Sequence, residues 1–194
     1  MDNLIPADGD ALLVIDVQND FLHGGSLAVS GAEEVVPVIN HYLELFSQKE
    51  LPIYVTRDWH PPDHCSFHAQ GGIWPSHCVA GTYGAAFSER LELPAGIRIV
   101  SKARVRDRDA YSAFEETDLD QSLKHDGVKR LFAGGLATDY CVLNTLKDAL
   151  ALGYTGVLLE DAIRAVNVKP GDGVRALNEM RQLGVQFATI TDLK

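Results

Sequence analysis

Apolar runs of strand length alternate along this chain with segments of helical periodicity. The first run, residues 11–17, reads ALLVIDV and is typical of a central strand buried on both faces. Five further runs are predicted to be strands: residues 53–56, 98–100, 130–133, 155–159 and 185–190. Strands that alternate with helices favour a parallel sheet covered by helices, because each parallel crossover needs a long connection.

Four segments place apolar side chains at spacings of three and four, the period of an amphipathic helix. The predicted helices are residues 33–48, 118–125, 140–152 and 174–183. The last two stop directly before Gly153 and Gly184, where a helix-ending glycine is expected. Residues 58–83 lack such periodicity and are rich in Pro, His, Gly and Ser. A loop of this length in a compact domain is usually functional or disordered.

Composition and charge narrow the class of protein. The chain has 194 residues, with 17 Lys and Arg against 27 Asp and Glu, which gives a formal charge of −10. This length and a hydrophobic fraction of 46% predict one globular domain over residues 1–194 and exclude disordered and repeat architectures. There is no cluster of Lys and Arg, so we expect no nucleic-acid partner.

Targeting signals are also absent from the sequence. No apolar run reaches the roughly 18 residues of a membrane span, and the N-terminus is acidic where a signal peptide is basic. We therefore expect a cytoplasmic protein with no membrane partner, and small α/β enzymes of this kind often form homo-oligomers. The three cysteines, Cys65, Cys78 and Cys141, cannot all pair within the chain, so at least one is a free thiol.

Three polar residues stand where predicted strands end, which is where open parallel sheets bind ligands. They are Asp16 after the first strand, Lys102 after the third and Cys141 after the fourth. At the N-terminus of a helix, Cys141 would be favoured as a thiolate and would lie near free backbone amides. Lys102 would lower the pKa of the thiol further, and Asp16 could accept its proton.

Simpler interpretations of these residues stay open. A cysteine at the start of a helix is more often a small buried residue than a nucleophile, and a lysine after an edge strand is usually solvated. Asp16 is harder to explain in this way, because a carboxylate within so apolar a run needs a partner or a shifted pKa.

The loop after the second strand contains candidate metal ligands. In an extended stretch, Asp58 and His60 point to the same side, and His64, His68 and His77 follow. One carboxylate and two imidazoles, with positions left for water, suit Zn²⁺ or Fe²⁺ at a catalytic site. A polar surface loop that binds no metal is the alternative.

Six motifs together resemble one enzyme family over nearly the whole chain. The motifs are DVQNDF at 16–21, GGSLAV at 24–29, RDWHPPDHCSF at 57–67, WPSHCV at 74–79, DAYSAF at 109–114 and GLATDYCV at 135–142. They resemble the nicotinamidases (pyrazinamidases) of the isochorismatase-like hydrolase superfamily. The resemblance implies a Rossmann-like α/β fold, a three-layer sandwich in which helices flank a six-stranded parallel sheet. It also implies hydrolysis of nicotinamide to nicotinate and ammonia, with a role in NAD salvage and with pyrazinamide as a further substrate.

The resemblance also implies roles for individual residues. Asp16 becomes the general base, Lys102 its cationic partner and Cys141 the nucleophile that forms a thioester. The implied ligands of one divalent metal are Asp58, His60 and His77, with zinc expected first and iron or manganese as alternatives. The position of His64 is a further ligand in some family members.

A substrate pocket and an oxyanion hole follow from the same resemblance. It implies a cis peptide bond between Leu136 and Ala137, with the amides of Ala137 and Cys141 forming the oxyanion hole. The residues expected to surround the pyridine ring are Phe21, Trp74, Tyr111, Leu136, Ala137 and Tyr140. Each of the aromatic residues could instead belong to the core.

Three other functions stay in consideration. Isochorismatase-type and N-carbamoyl amidohydrolases of the same superfamily resemble the chain in its Asp, Lys and Cys but generally lack the metal set. A haloacid-dehalogenase-like phosphotransferase would carry a second Asp where Gln18 stands. A metal or small-molecule binder without catalysis would release no ammonia. The sequence has no dinucleotide, P-loop or serine-hydrolase motif.

Overall fold

A six-stranded sheet forms the centre of the molecule. The structure, a computed structural model, describes residues 4–193. The strands are β1 (Asp10–Ile15), β2 (Ile53–Asp58), β3 (Arg98–Lys102), β4 (Arg130–Leu136), β5 (Thr155–Arg164) and β6 (Gln186–Ala188). Their order is β3-β2-β1-β4-β5-β6, and every neighbouring pair is parallel. The predicted parallel sheet is confirmed.

Helices cover both faces of this sheet. They are α1 (Val35–Gln48), α2 (Leu119–His125), α3 (Leu143–Ala151) and α4 (Asp172–Gln182). Alternate side chains of β1 belong to the hydrophobic cores on opposite faces of the sheet. Leu12 and Val14 share a core with α1, whereas Leu13 shares a core with residues of the other three helices. A strand buried on both faces must be apolar at every position, which explains the continuous run seen in the sequence. The predicted three-layer α/β sandwich is confirmed.

Several element boundaries differ from the predictions for physical reasons. β1 ends two residues early, because Asp16 has a φ of +50° and turns the chain out of the sheet. β6 stops at Ala188, and the next amide, that of Thr189, donates a hydrogen bond to Asp192 Oδ2 (2.7 Å). The helix predicted over 140–152 begins earlier, as a π-helical turn at Thr138–Val142 that leads into α3.

The two helix-ending glycines lie where the sequence places them. Gly153 and Gly184 both have positive φ, and their amides donate hydrogen bonds to carbonyls of the last helical turn. These turns send the chain directly into β5 and β6. Among residues 4–193 no helix has both the length and the apolar character that a membrane span requires.

The strand order places a crevice between β1 and β4. The chain runs outward from β1 to β3 on one side and from β4 to β6 on the other, so the connections diverge at this point. Ligands of open parallel sheets bind at such switch points, beside the carboxyl ends of the strands. The polar residues at the ends of β1, β2, β3 and β4 are therefore the place to look for function.

Candidate active site

The sheet register places a carboxylate beside an ammonium group at this edge. Asp58 and Lys102 are register partners, the last pair of the β2–β3 ladder, and their side chains form a buried ion pair. Asp16 lies on the neighbouring strand end, where Thr56 Oγ1 donates a hydrogen bond to its Oδ1 (2.6 Å). The three strands thus bring the carboxylates of Asp16 and Asp58 and the ammonium group of Lys102 together in the interior.

Cys141 completes this cluster from the opposite side of the crevice. Lys102 Nζ lies 3.1 Å from Asp16 Oδ2 and 3.3 Å from Cys141 Sγ, and it also donates a hydrogen bond to the carbonyl of Ala110 (3.2 Å). A carboxylate oxygen of Asp16, one of Asp58 and the sulfur of Cys141 all lie within 4.8 Å of one another. The predicted convergence of Asp16, Lys102 and Cys141 is what the structure shows.

Burial controls the protonation of this cluster. Burial raises the pKa of Asp16, and Lys102 only partly opposes this effect. Burial alone would lower the pKa of Lys102, but the carboxylates of Asp16 and Asp58 outweigh it and raise the pKa well above its usual value. Lys102 is therefore a permanent cation, which is the charge that keeps a neighbouring acid ionised.

Lys102 lowers the pKa of the Cys141 thiol as expected, but the net shift is upward. Burial raises the pKa of the Cys141 thiol well above its ordinary value, Lys102 lowers it, and Asp16 and Asp58 raise it again. The sulfur shares its single cation with two anions, so its resting form is the neutral thiol. A nucleophile at this position needs a base, and Asp16 provides one: its Oδ2 pairs with Lys102 at 3.1 Å, and its carboxylate interacts with the Cys141 thiol.

The three expected metal ligands also converge. One ligand atom each from Asp58, His60 and His77 lies within 4.8 Å of the others, and all three residues are buried. His77 reaches this position because the loop folds back on itself: the amide of His60 donates to the carbonyl of Cys78 (3.0 Å). Asp20 Oδ2 accepts a hydrogen bond from the amide of Cys78 (2.7 Å), which fixes the returning segment.

The protonation of these imidazoles suits a metal. Nδ1 of His60 donates to the carbonyl of Ala103 (3.1 Å), and Nδ1 of His77 donates to the carbonyl of Pro75 (2.8 Å). Burial, with the neighbouring His77 and His64, lowers the pKa of His60 to about 3, so its Nε2 bears a lone pair. This Nε2 is buried without a hydrogen-bond partner among the described residues and lies 3.8 Å from Asp58 Oδ2. An orphaned lone pair beside a carboxylate fits a divalent cation.

His64 does not belong to this ligand set. It is fully buried, but Nδ1 lies 2.7 Å from Ser66 Oγ and Nε2 lies 2.9 Å from the carbonyl of Arg108. Both ring nitrogens are thus already hydrogen-bonded to protein groups. The exposed His68, which the sequence also places in this loop, hydrogen-bonds to the carbonyl of Gly72 (3.2 Å).

A narrow cavity lies over Cys141 and the three expected metal ligands. Its lining contains five of the six expected pocket residues: Phe21, Trp74, Tyr111, Ala137 and Tyr140. Leu136 differs from the expectation: as the last residue of β4 it is fully buried in the core. The cavity therefore meets the chain at Ala137, one residue further on.

The aromatic residues contact one another across chain segments. Trp74 Nε1 donates a hydrogen bond to the hydroxyl of Tyr111 (3.0 Å), and the rings of Trp74 and Tyr140 meet edge to face at 4.9 Å. Phe21 lies on the other side, with its ring 5.7 Å from that of His77. Together they form apolar walls, and the polar side chains of Asp58, His60, His77 and Cys141 belong to the same lining.

The backbone beside Cys141 has the expected conformation. The peptide bond between Leu136 and Ala137 is cis, as the resemblance implies. Cys141 lies in the π-helical turn that follows, within the first turn of the helix. The amide of Ala137, which lines the cavity, donates no hydrogen bond to a protein group within residues 4–193.

Sequence reasoning missed three residues that hold the site together. Gln18 is fully buried and hydrogen-bonds to both backbone groups of Asp58. Its Nε2 donates to the Asp58 carbonyl (2.8 Å), and its Oε1 accepts from the Asp58 amide (2.8 Å). Thr56 orients Asp16, and the ring of Phe67 contacts the rings of His60, His64 and His77 at 5.4–5.7 Å. A polar side chain within an apolar strand, as at Thr56, is the one signal that could have indicated them.

Known proteins share sequence and structure with this chain. A nicotinamidase of Escherichia coli (strain K12) is 36% identical over 203 residues, covering 94% of this chain and 95% of that protein. A pyrazinamidase of Pyrococcus horikoshii, solved in complex with zinc, is 44% identical with a TM-score of 0.90, covering 94% of this chain and 99% of that one. PnC1 from L. infantum, solved in complex with nicotinate, is 34% identical with a TM-score of 0.88, covering 97% and 96%.

The family assignment rests on nearly the whole chain. The Isochorismatase domain matches residues 10–192, from the first residue of β1 to the final described turn. The resemblance seen in the six motifs is thereby confirmed. This chain belongs to the isochorismatase domain family.

Proposed function

We propose that this chain hydrolyses nicotinamide to nicotinate and ammonia, with pyrazinamide as a second substrate. One observation carries the proposal: Cys141 of the buried Asp16–Lys102–Cys141 cluster and the three candidate metal ligands line the same aromatic-walled cavity. The nicotinamidase from E. coli and the zinc-bound pyrazinamidase from P. horikoshii support the same activity. The L. infantum protein, solved with nicotinate, supports the identity of the product.

The cavity suits a small, flat and neutral substrate. The aromatic side chains of Phe21, Trp74 and Tyr140 offer contact for a pyridine ring, and a neutral amide loses little hydration on entering. A divalent metal held by Asp58, His60 and His77 would supply a Lewis-acid contact for the ring nitrogen. We propose zinc first, with iron and manganese as alternatives, since all three accept such ligands.

The first half of the reaction uses the thiol and its base. Asp16 accepts the proton of Cys141 as the sulfur attacks the carboxamide carbon, so that a C–S bond forms and the carbonyl π bond opens. The amides of Ala137 and Cys141 would hold the resulting oxyanion. Asp16 then gives its proton to the leaving nitrogen, the C–N bond breaks, and ammonia departs from a thioester.

The second half returns the site to its starting state. Asp16 accepts a proton from water as the water oxygen attacks the thioester carbonyl, and the proton passes to the departing sulfur of Cys141. The product is nicotinic acid, which gives its proton to ammonia or to bulk water and is released as nicotinate. Throughout, the ammonium group of Lys102 balances the charge of Asp16, which must be ionised at the start of each half. A role in NAD salvage follows from this reaction.

Ammonia release from nicotinamide tests the proposal directly. The purified protein is assayed before and after removal of divalent metal by a chelator, and again after zinc, iron or manganese is restored. We expect release that falls on chelation and returns with metal. A metal-loaded protein that releases no ammonia from nicotinamide, but does so from an N-carbamoyl substrate, would assign the chain to the rival amidohydrolases.

A further inference from the structure

The buried His64 takes no part in the chemistry described above. Its exposed fraction is 0%, although an imidazole has two polar nitrogens that need partners in the interior. It stands four residues after the metal ligand His60 in a loop that also contains the exposed His68. Its contacts indicate its role.

The hydrogen bonds of His64 determine which nitrogen carries the proton. A carbonyl oxygen only accepts, so the 2.9 Å contact with Arg108 requires a proton on Nε2. Nδ1 then accepts from the Ser66 hydroxyl at 2.7 Å and faces the Ser66 amide at 3.3 Å. In this tautomer neither nitrogen has a lone pair left for a metal.

The ring of His64 instead supports the ring of His60. The two imidazoles stack with centroids 4.3 Å apart and planes 28° apart, the shortest ring separation in the site. His60 is thus held from two directions: Nδ1 by the carbonyl of Ala103 and the ring face by His64. This fixes the direction in which its unpartnered Nε2 points.

His64 also joins the two loops that build the site. Its partner Arg108 and the His60 partner Ala103 both belong to the segment after β3. The same segment supplies the Ala110 carbonyl that accepts from Lys102, and Tyr111 in the cavity wall. A displaced His64 would therefore loosen the metal loop and the β3 loop together.

We propose that His64 is a positioning residue of the metal centre, which holds the His60 imidazole in its ligating orientation without binding the metal. The proposal rests on the metal site of the proposed function. Groups that orient metal ligands in this way typically change metal affinity about 10–100-fold when removed. The protein would then supply three ligands to the metal, from Asp58, His60 and His77.

Nitrogen NMR of the histidines in the unaltered protein tests the proposal without any substitution. On addition of Zn²⁺, we expect the ring signals of His60 and His77 to change to those of metal-bound imidazoles. His64 should keep a proton on Nε2 and an unprotonated Nδ1. Loss of the Nε2 proton of His64 on zinc binding would make it a fourth ligand and overturn the proposal.

Substitution tests the positioning itself. In His64→Ala we expect Zn²⁺ affinity, measured by competition with a chelator, to fall about 10–100-fold. His64→Phe keeps a flat ring against His60 and should recover part of this loss, which a general effect on folding would not explain. His68→Ala, in the same loop but exposed, is the matched control and should bind zinc as the unaltered protein does.

Co²⁺ spectra distinguish a residue that binds the metal from a residue that only orients a metal ligand. In the cobalt-loaded variants we expect the same coordination type as in the unaltered protein, since no ligand is lost. Equal zinc affinity in His64→Ala and His68→Ala would overturn the proposal while leaving the metal centre intact. Failure of the unaltered protein to bind metal would overturn both the positioning role of His64 and the metal centre. Ammonia release would still report the amidase activity separately.

Discussion

Asp58 faces Lys102 across the last register pair of β2 and β3, and the two side chains form a buried ion pair. The same carboxylate lies 3.8 Å from Nε2 of His60 through its other oxygen. One acid thus serves both clusters, with Oδ1 toward the ammonium group and Oδ2 toward the metal ligands. The proposed metal site and the proposed nucleophile are therefore electrostatically connected through this residue.

Asp58→Asn should weaken metal binding by about 10–100-fold or more. Loss of a group that only orients a metal ligand already has an effect of this size, and Asp58 is a proposed ligand itself. Asparagine keeps the shape of the side chain but loses the charge that attracts a cation and balances Lys102. Chelator competition measures the change. Asp63→Asn is the control, because Asp63 is exposed in the same loop and pairs with Arg106 instead. Equal metal affinity in the two variants would contradict the assignment.

The pH dependence of kcat/KM should show an acidic limb that belongs to Asp16. The base must be ionised to accept the thiol proton, so activity falls as the pH drops through its pKa. Burial raises that pKa, which places the limb above the usual range of an aspartate. Asp16→Asn should lower kcat about 10²–10⁴-fold and remove the limb. An unchanged limb in this variant would assign it to another group.

Gly135→Ala should destabilise the fold by about 2 kcal/mol or more. Its φ is +128°, and an added Cβ would lie 2.0 Å from the carbonyl oxygen of Ile15, a backbone atom that cannot move aside. Urea unfolding measures the loss. Gly24→Ala is the control, with a φ of +83° but no atom within 4 Å of the added Cβ, and should cost about 1 kcal/mol. Equal losses would contradict a role for close contact between β1 and β4.

Much of this architecture could be predicted from the sequence, because local pattern and strand ends determine it. The apolar run of β1 indicated burial on both faces, and the glycines after α3 and α4 indicated where those helices end. Asp16, Lys102 and Cys141 stand at strand ends, so the parallel topology alone brings them to one edge. The ligand roles of His60 and His77 came from the resemblance, which supplied what their spacing could not.

What the sequence could not give depends on the three-dimensional surroundings of each group. The pKa of Cys141 is set by burial and by the number of charges around one sulfur, so a nearby lysine did not decide it. His64 looks like a metal ligand in the sequence, but its Nδ1 accepts a hydrogen bond from Ser66 and its Nε2 donates one to the carbonyl of Arg108, 44 residues away. Leu136 and Ala137 are adjacent, and only the path of β4 decides which one faces the cavity.

Trapping of the acyl-enzyme tests the central claim most directly. The protein is mixed with nicotinamide, quenched in acid during turnover and analysed by peptide mass spectrometry, with Cys141→Ala and Cys65→Ala as paired variants. We predict one nicotinoyl group on Cys141 in the unaltered protein and in Cys65→Ala, and neither the group nor ammonia release in Cys141→Ala. Full ammonia release by Cys141→Ala would contradict the account.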